Sequence, residues 1–113
     1  QGENRTHPVC TKNANEFGFC DLSGNVWEWV WDGYSDRFYS KRSARYNPTG
    51  VDSTRSKVLR GGSWLSSPSE LRTSYRMYAT QNTIDSLVPS LGSFGFRLVR
   101  TTPTIKAKTK STQ

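Results

Sequence analysis

The chain has 113 residues, 33% hydrophobic and 12% aromatic, and 16 Lys+Arg against 9 Asp+Glu leave it at +7. That length allows one small domain. No apolar run approaches the ~18–20 residues of a membrane span, and two cysteines are too few for a disulfide-built mini-protein. Lys106, Lys108 and Lys110 stand in an acid-free stretch at 104–113, so much of the excess reads as a solvated basic tail rather than a nucleic-acid surface.

Leu, Ile, Val and Phe together number only 21. Four Trp and five Tyr can supply the missing core area, because each aromatic buries ~150–250 Å². An irregular, aromatic- and Gly-rich fold is expected.

Residues 1–16 are polar and turn-rich, and Asn4-Arg5-Thr6 is a glycosylation sequon with meaning only in a eukaryotic secretory pathway. No compartment follows from this stretch. Nine residues lie between Cys10 and Cys20, a gap that fits neither a redox Cys-x-x-Cys nor a zinc knuckle. Cys20 is read as a small core residue, with a Cys10–Cys20 disulfide as the lesser option. Ser23-Gly24-Asn25 marks a turn. Trp27, Trp29 and Trp31 then alternate with Glu28 and Val30, the period of a short strand. Residues 32–56 are loop-like, with the basic cluster Arg37, Lys41, Arg42, Arg45 and a break at Asn47-Pro48-Thr49-Gly50. A second strand is expected at Lys57–Arg60, followed by the permissive turn Gly61-Gly62. Ser69 to Met77 fits a strand or a turn of helix, and residues 80–93 are turn-rich. Phe94 to Val99 alternates again and makes a closing strand, after which 101–113 is expected to be disordered.

Four blocks in one order carry a resemblance: Asn15 to Trp29, Asn47-Pro48-Thr49-Gly50, Arg60-Gly61-Gly62-Ser63-Trp64, and Gly95-Phe96-Arg97-Leu98-Val99-Arg100. Residues 1–100 resemble the C-terminal half of the formylglycine-generating enzyme / sulfatase-modifying factor domain. The resemblance implies an α+β, C-type-lectin-like fold with short antiparallel strands, long loops and little regular structure, present here as a partial domain.

It also implies calcium, held by the Asp21 and Glu28 carboxylates and the Gly24 and Val26 carbonyls. The local chemistry agrees, since Asp21, Ser23, Asn25 and Glu28 gather oxygen donors, and Ca²⁺ takes ~6–8 of them. The alternative is structural: Asp21 and Asn25 cap a turn and Glu28 pairs with an arginine. The family's other calcium site draws its ligands from upstream of the matched region.

The family's enzymes oxidise a sulfatase cysteine to formylglycine with two copper-binding cysteines after the Gly-Gly-Ser block. Counted without gaps, those positions fall at Ser66 and Leu71, so no copper is expected. A hydroxyl is a poor ligand for copper(I) and a hydrocarbon is none. His7 is the only histidine, which rules out a three-histidine metal site within this chain. Trp27, Trp29, Trp31 and Trp64 are expected to pack in the core rather than line a cleft. Arg60, Arg72, Arg76 and Arg97 are expected to brace loops through bonds to carbonyls and Asp side chains.

The leading functional expectation is a non-catalytic, calcium-stabilised module that binds a protein or small molecule through loops 32–56 and 65–93. One alternative is an oxidoreductase fragment whose active site lies in other residues or a partner. The other is a retroelement-diversified ligand-binding protein that varies the segment between Gly-Gly-Ser-Trp and Gly-Phe-Arg.

Overall fold

β1 spans Trp27–Gly33, β2 Lys57–Arg60, β3 Met77–Ala79 and β4 Phe94–Phe96. They form one sheet in the order β3-β2-β1-β4 in the computed structural model, which describes residues 5–40, 45–52, 55–83, 86 and 92–100. Lys41 and Arg42 of the basic cluster and the 101–113 tail lie outside the described residues.

The sheet is mixed, where only antiparallel strands were expected. β1 pairs antiparallel with β2, and β2 with β3, but β1 and β4 run parallel with Trp27 opposite Phe94 and Trp29 opposite Phe96. A parallel pair needs a long crossover, and the chain from Gly33 to Phe94, which carries β2 and β3, supplies it. Trp27 N–H donates to Ser93 O at 2.7 Å and seals the start of this pairing.

The core is small. Trp27, Val58, Leu59 and Ala79 are buried, and Trp29, Tyr75, Met77 and Phe94 pack at its edge. Trp27 lies 6.1 Å from Tyr75 and Trp29 6.3 Å from Phe94, centroid to centroid. The core reading of the tryptophans therefore holds for Trp27 and Trp29 and fails for Trp31, which is 86% exposed. The register explains it. Trp29 faces Leu59 while Gly33 faces Lys57, so β1 carries extra residues between those pairs, and the bulge turns Trp31 outward. Lys57 lies beside it, with Nζ 5.5 Å from the ring centroid and 2.8 Å from Trp31 O.

The same bulge accounts for a short β4. Continuing the parallel register past Phe96 would set Leu98 against Trp31, where β1 no longer runs evenly. The strand ends at Phe96, not Val99, and Leu98 and Val99 are exposed. The undecided Ser69–Met77 stretch is a run of turns that becomes strand only at Met77.

The arginines brace loops as expected, with carbonyls as the main acceptors. Arg60 donates to Thr73 O, Tyr75 O and Tyr39 Oη; Arg72 to Ser69 O; Arg76 to Ser35 O. Arg76 also lies 4.5 Å from the Tyr39 ring and 5.1 Å from that of Tyr34. Loop 34–40 is thus tied to β2 and β3.

Leu59 shows no exposed surface. Leu59→Ala should cost about 2–5 kcal/mol, a large share of a ~5–15 kcal/mol total. Denaturant unfolding followed by tryptophan fluorescence is expected to show a weakened or lost cooperative transition.

Candidate functional site

The turn before β1 is assembled from residues in left-handed conformations. Asp21 has φ +54°, Gly24 +92° and Asn25 +63°. Asp and Asn tolerate this region better than most residues because short polar side chains can bond locally, and both do. Asp21 Oδ2 accepts the Cys10 N–H at 2.7 Å. Asn25 clasps His7 twice: its Oδ1 accepts the His7 N–H and its Nδ2 donates to His7 O, each at 3.2 Å. Across the turn, Gly24 N–H donates to Gly61 O and Trp64 N–H donates to Asn25 O.

These bonds lay residues 7–10 against the turn and bring Cys10 and Cys20 to a Cα separation of 5.2 Å, where they form a disulfide. This corrects the reading of Cys20 as a small core residue in favour of the lesser option, the disulfide. Cys20 is half-buried, and the pairing arises from the folded turn rather than from a spacing motif. A loop this short is closed with about 2–3 kcal/mol of stabilisation in the chain-entropy model.

Asp21, Gly24, Val26 and Glu28 all line one cavity of about 120 Å³. Arg97 lines it too. Its Nε donates to Glu28 Oε2 at 2.8 Å and its Nη2 to Glu28 Oε1 at 2.5 Å, while further N–H groups reach Cys20 O and Asp21 O. The hydrogen bond to Glu28 raises the Arg97 pKa above its ordinary value; attraction to Glu28 and Asp21 adds to this, and burial works against it. The pairing of Glu28 with an arginine, the structural alternative for this residue, is what the structure shows. Two carboxylates against one guanidinium leave the cavity net negative, and oxygen is the donor a hard cation wants. Cys10, Cys20 and Asp21 also cluster, but both sulfurs are consumed in the disulfide.

A second, larger cleft of about 610 Å³ shares Asp21, Gly24 and Asn25 with the first. Ser63, Trp64, Ser66 and Leu71 form one wall and residues from Arg5 to Lys12 the other. Gly62 makes the first wall possible. Its φ is +73°, and a Cβ there would lie 2.6 Å from Leu71 Cδ2. Ser66 Oγ accepts the Ser63 N–H at 3.0 Å. Trp64 lines the cleft instead of joining the core, and its Nε1 is buried with no hydrogen-bond partner among the described residues. Sequence reasoning singled out Ser66 and Leu71 but not His7 or Lys12, which reach the cleft only through the Asn25 clasp and the disulfide.

The family model described as the sulfatase-modifying factor enzyme 1-like domain matches residues 1–102. The formylglycine-generating enzyme of Streptomyces coelicolor is 39% identical over 97 residues, covering 85% of this chain and 29% of that enzyme. The serine/threonine-protein kinase pkn1 of Chlamydia caviae is 33% identical over 96 residues, 84% of this chain and 15% of that protein. Among solved structures, Treponema denticola variable protein 1 superposes with a TM-score of 0.61 at 28% identity, covering 81% of this chain and 31% of that one. The sheet and loops are those of the expected C-type-lectin-like fold, and the chain spans less than a third of these relatives.

Arg97→Lys keeps the charge but loses the planar fork that holds two carboxylate oxygens and two carbonyls. It should cost about 2 kcal/mol, seen in thermal unfolding as a midpoint lowered by about 8–16 °C. A raised guanidinium pKa stabilises fully below the unfolded value and is lost only as pH climbs through the folded one. The deficit of the variant is therefore expected to stay constant between about pH 6 and 9, below the titration of the introduced lysine.

Proposed function

The chain belongs to the sulfatase-modifying factor enzyme 1-like family, and within it we propose a non-catalytic member, a calcium-stabilised module that binds a small-molecule or protein ligand. One observation carries this reading. The positions where the family's enzymes place copper-binding thiols fall at Ser66 and Leu71, and both line the large cleft. No cysteine follows Cys20, and Cys10 and Cys20 are bound to each other. The cleft thus keeps its volume without soft donors for copper(I). A volume of about 610 Å³ lies within the ~300–1,000 Å³ typical of small-molecule sites.

Calcium would be held by the Asp21 and Glu28 carboxylates with the Gly24 and Val26 carbonyls. Bound there, the ion supplies charge neutralisation and a cross-link between the turn and β1. Arg97 supplies part of the same service with its own charge, so the metal adds to a turn that is already braced.

A second reading is favoured by the likeness to Treponema denticola variable protein 1. It makes the chain a variable ligand-binding protein, with the diversified segment between Gly61-Gly62-Ser63-Trp64 and Gly95-Phe96-Arg97. A near-copy template of residues 65–93 beside the gene would select it.

Two measurements test the main reading. Calcium at a hundred times its Kd should add about 2.7 kcal/mol of stability, and Asp21→Asn should abolish that increment while retaining the Glu28–Arg97 pair. The chain supplied with Cu(I) and a cysteine-containing sulfatase peptide should consume no oxygen. Conversion of the thiol to an aldehyde would instead mark the chain as part of an oxidoreductase.

A further inference from the structure

We propose that the Cys10–Cys20 pair is a redox-gated metal site: closed, it is a disulfide, and reduced, it joins Asp21 in binding one Zn²⁺. The ligand atoms of Cys10, Cys20 and Asp21 all lie within 4.8 Å of one another. Opening the bond takes two small thiols. They leave joined as their own disulfide, and two protons and two electrons pass to the cysteine sulfurs. Cys10 is exposed and Cys20 half-buried, and exposed disulfides are the labile ones.

The donors stay assembled when the bond opens. Asp21 Oδ2 accepts the Cys10 N–H at 2.7 Å, and the Asn25 side chain clasps His7 through two further bonds. On the other side, Arg97 donates to the carbonyls of Cys20 and Asp21. None of these contacts runs through sulfur. The two Cα atoms are 5.2 Å apart. Two thiolates at ~2.3 Å on a tetrahedral zinc stand about 3.8 Å from each other, a spread that rotation about the Cα–Cβ bonds supplies.

The donor set selects the metal. Two thiolates and a carboxylate suit Zn²⁺, which takes sulfur, nitrogen and oxygen ligands, whereas Ca²⁺ and Mg²⁺ want oxygen alone. Asp21 keeps capacity for the ion, since a carboxylate has about four lone-pair sites and the Cys10 N–H takes one. Arg97 lines the same cavity, but its charge is already paired with Glu28 at 2.8 Å. Water completes the tetrahedron, and the cavity of about 120 Å³ has room for it. Each thiol gives its proton to solvent on binding, so metal and disulfide compete for the same two sulfurs. The calcium reading is measured on the oxidised chain, and its outcome is separate from this one.

The test uses the full chain, oxidised or reduced with a water-soluble phosphine. The phosphine takes the oxygen of one water as the two thiols form, and it leaves no competing thiol in solution. Co²⁺ serves as the spectroscopic stand-in for Zn²⁺. The reduced chain is expected to bind one Co²⁺, with a thiolate-to-cobalt charge-transfer band in the near ultraviolet and tetrahedral d–d bands in the visible. Zn²⁺ should erase both, and the oxidised chain should show neither. Asp21→Asn keeps both sulfurs and an acceptor for the Cys10 N–H, but should bind Co²⁺ at least tenfold more weakly. Cys10→Ser should lose at least half of the charge-transfer intensity. Tryptophan fluorescence of the reduced, zinc-loaded chain should match that of the oxidised one.

Absence of a cobalt–thiolate band in the reduced chain at millimolar Co²⁺ would overturn the proposal. So would one metal per two chains, which would make the site a cross-link between copies. Equal affinity in Asp21→Asn would reduce it to a bare dithiol and sink it too. The same holds if reduction abolishes the native fluorescence and Zn²⁺ does not restore it, because the metal would then sit on an unfolded segment.

Discussion

The guanidinium of Arg97 closes a structure whose hydrophobic core is too small to close itself. It reaches Glu28 on β1 and the carbonyls of Cys20 and Asp21, across sequence separations of 69 to 77 residues. Loop-closure entropy must be overcome by contacts of high quality, and a forked, charge-assisted donor is among the strongest available to a half-exposed group. With Trp27, Val58, Leu59 and Ala79 as the buried core, hydrophobic burial alone leaves the turn before β1 unsecured. Arg97, directly after β4, therefore holds the approach to β1.

That turn has an internal cost which the surrounding bonds offset. Cys10, Asp21 and Asn25 all sit at positive φ, and each left-handed non-glycine residue costs roughly 1–2 kcal/mol. Each is also tied down. Cys10 is held by the disulfide and by its N–H on Asp21, and Asn25 by two bonds to His7 and one to Trp64. Strain of this kind persists only where neighbours over-determine the backbone, and it gathers at functional places. Here it gathers between two cavities.

Local periodicity made part of this legible in the sequence. The alternation of Trp27, Trp29 and Trp31 located β1, and Lys57–Arg60 was read to its observed bounds. The arginine braces were legible because unpaired guanidinium groups in a loop-rich chain must find carbonyls. Relations between distant segments were not legible. The bulge that expels Trp31 depends on the register against β2, and the parallel pairing of β4 on the whole crossover. The disulfide depends on a clasp between Asn25 and His7 that no spacing rule contains. His7 and Lys12 joined the cleft for the same reason: a polar segment without a motif becomes a wall only after Asn25 and Cys20 fix where it runs.

Asp21, Gly24 and Asn25 line both the small cavity and the large cleft. A single turn therefore shapes both. A cation drawn to Asp21 would also neutralise the one acid in the cleft lining. Any such effect is reciprocal, because the free energy that couples two sites is shared equally between them. The Asn25–His7 clasp is what joins this turn to the segment that lines the cleft from Arg5 to Lys12, so the cleft's shape depends on the turn's own conformation.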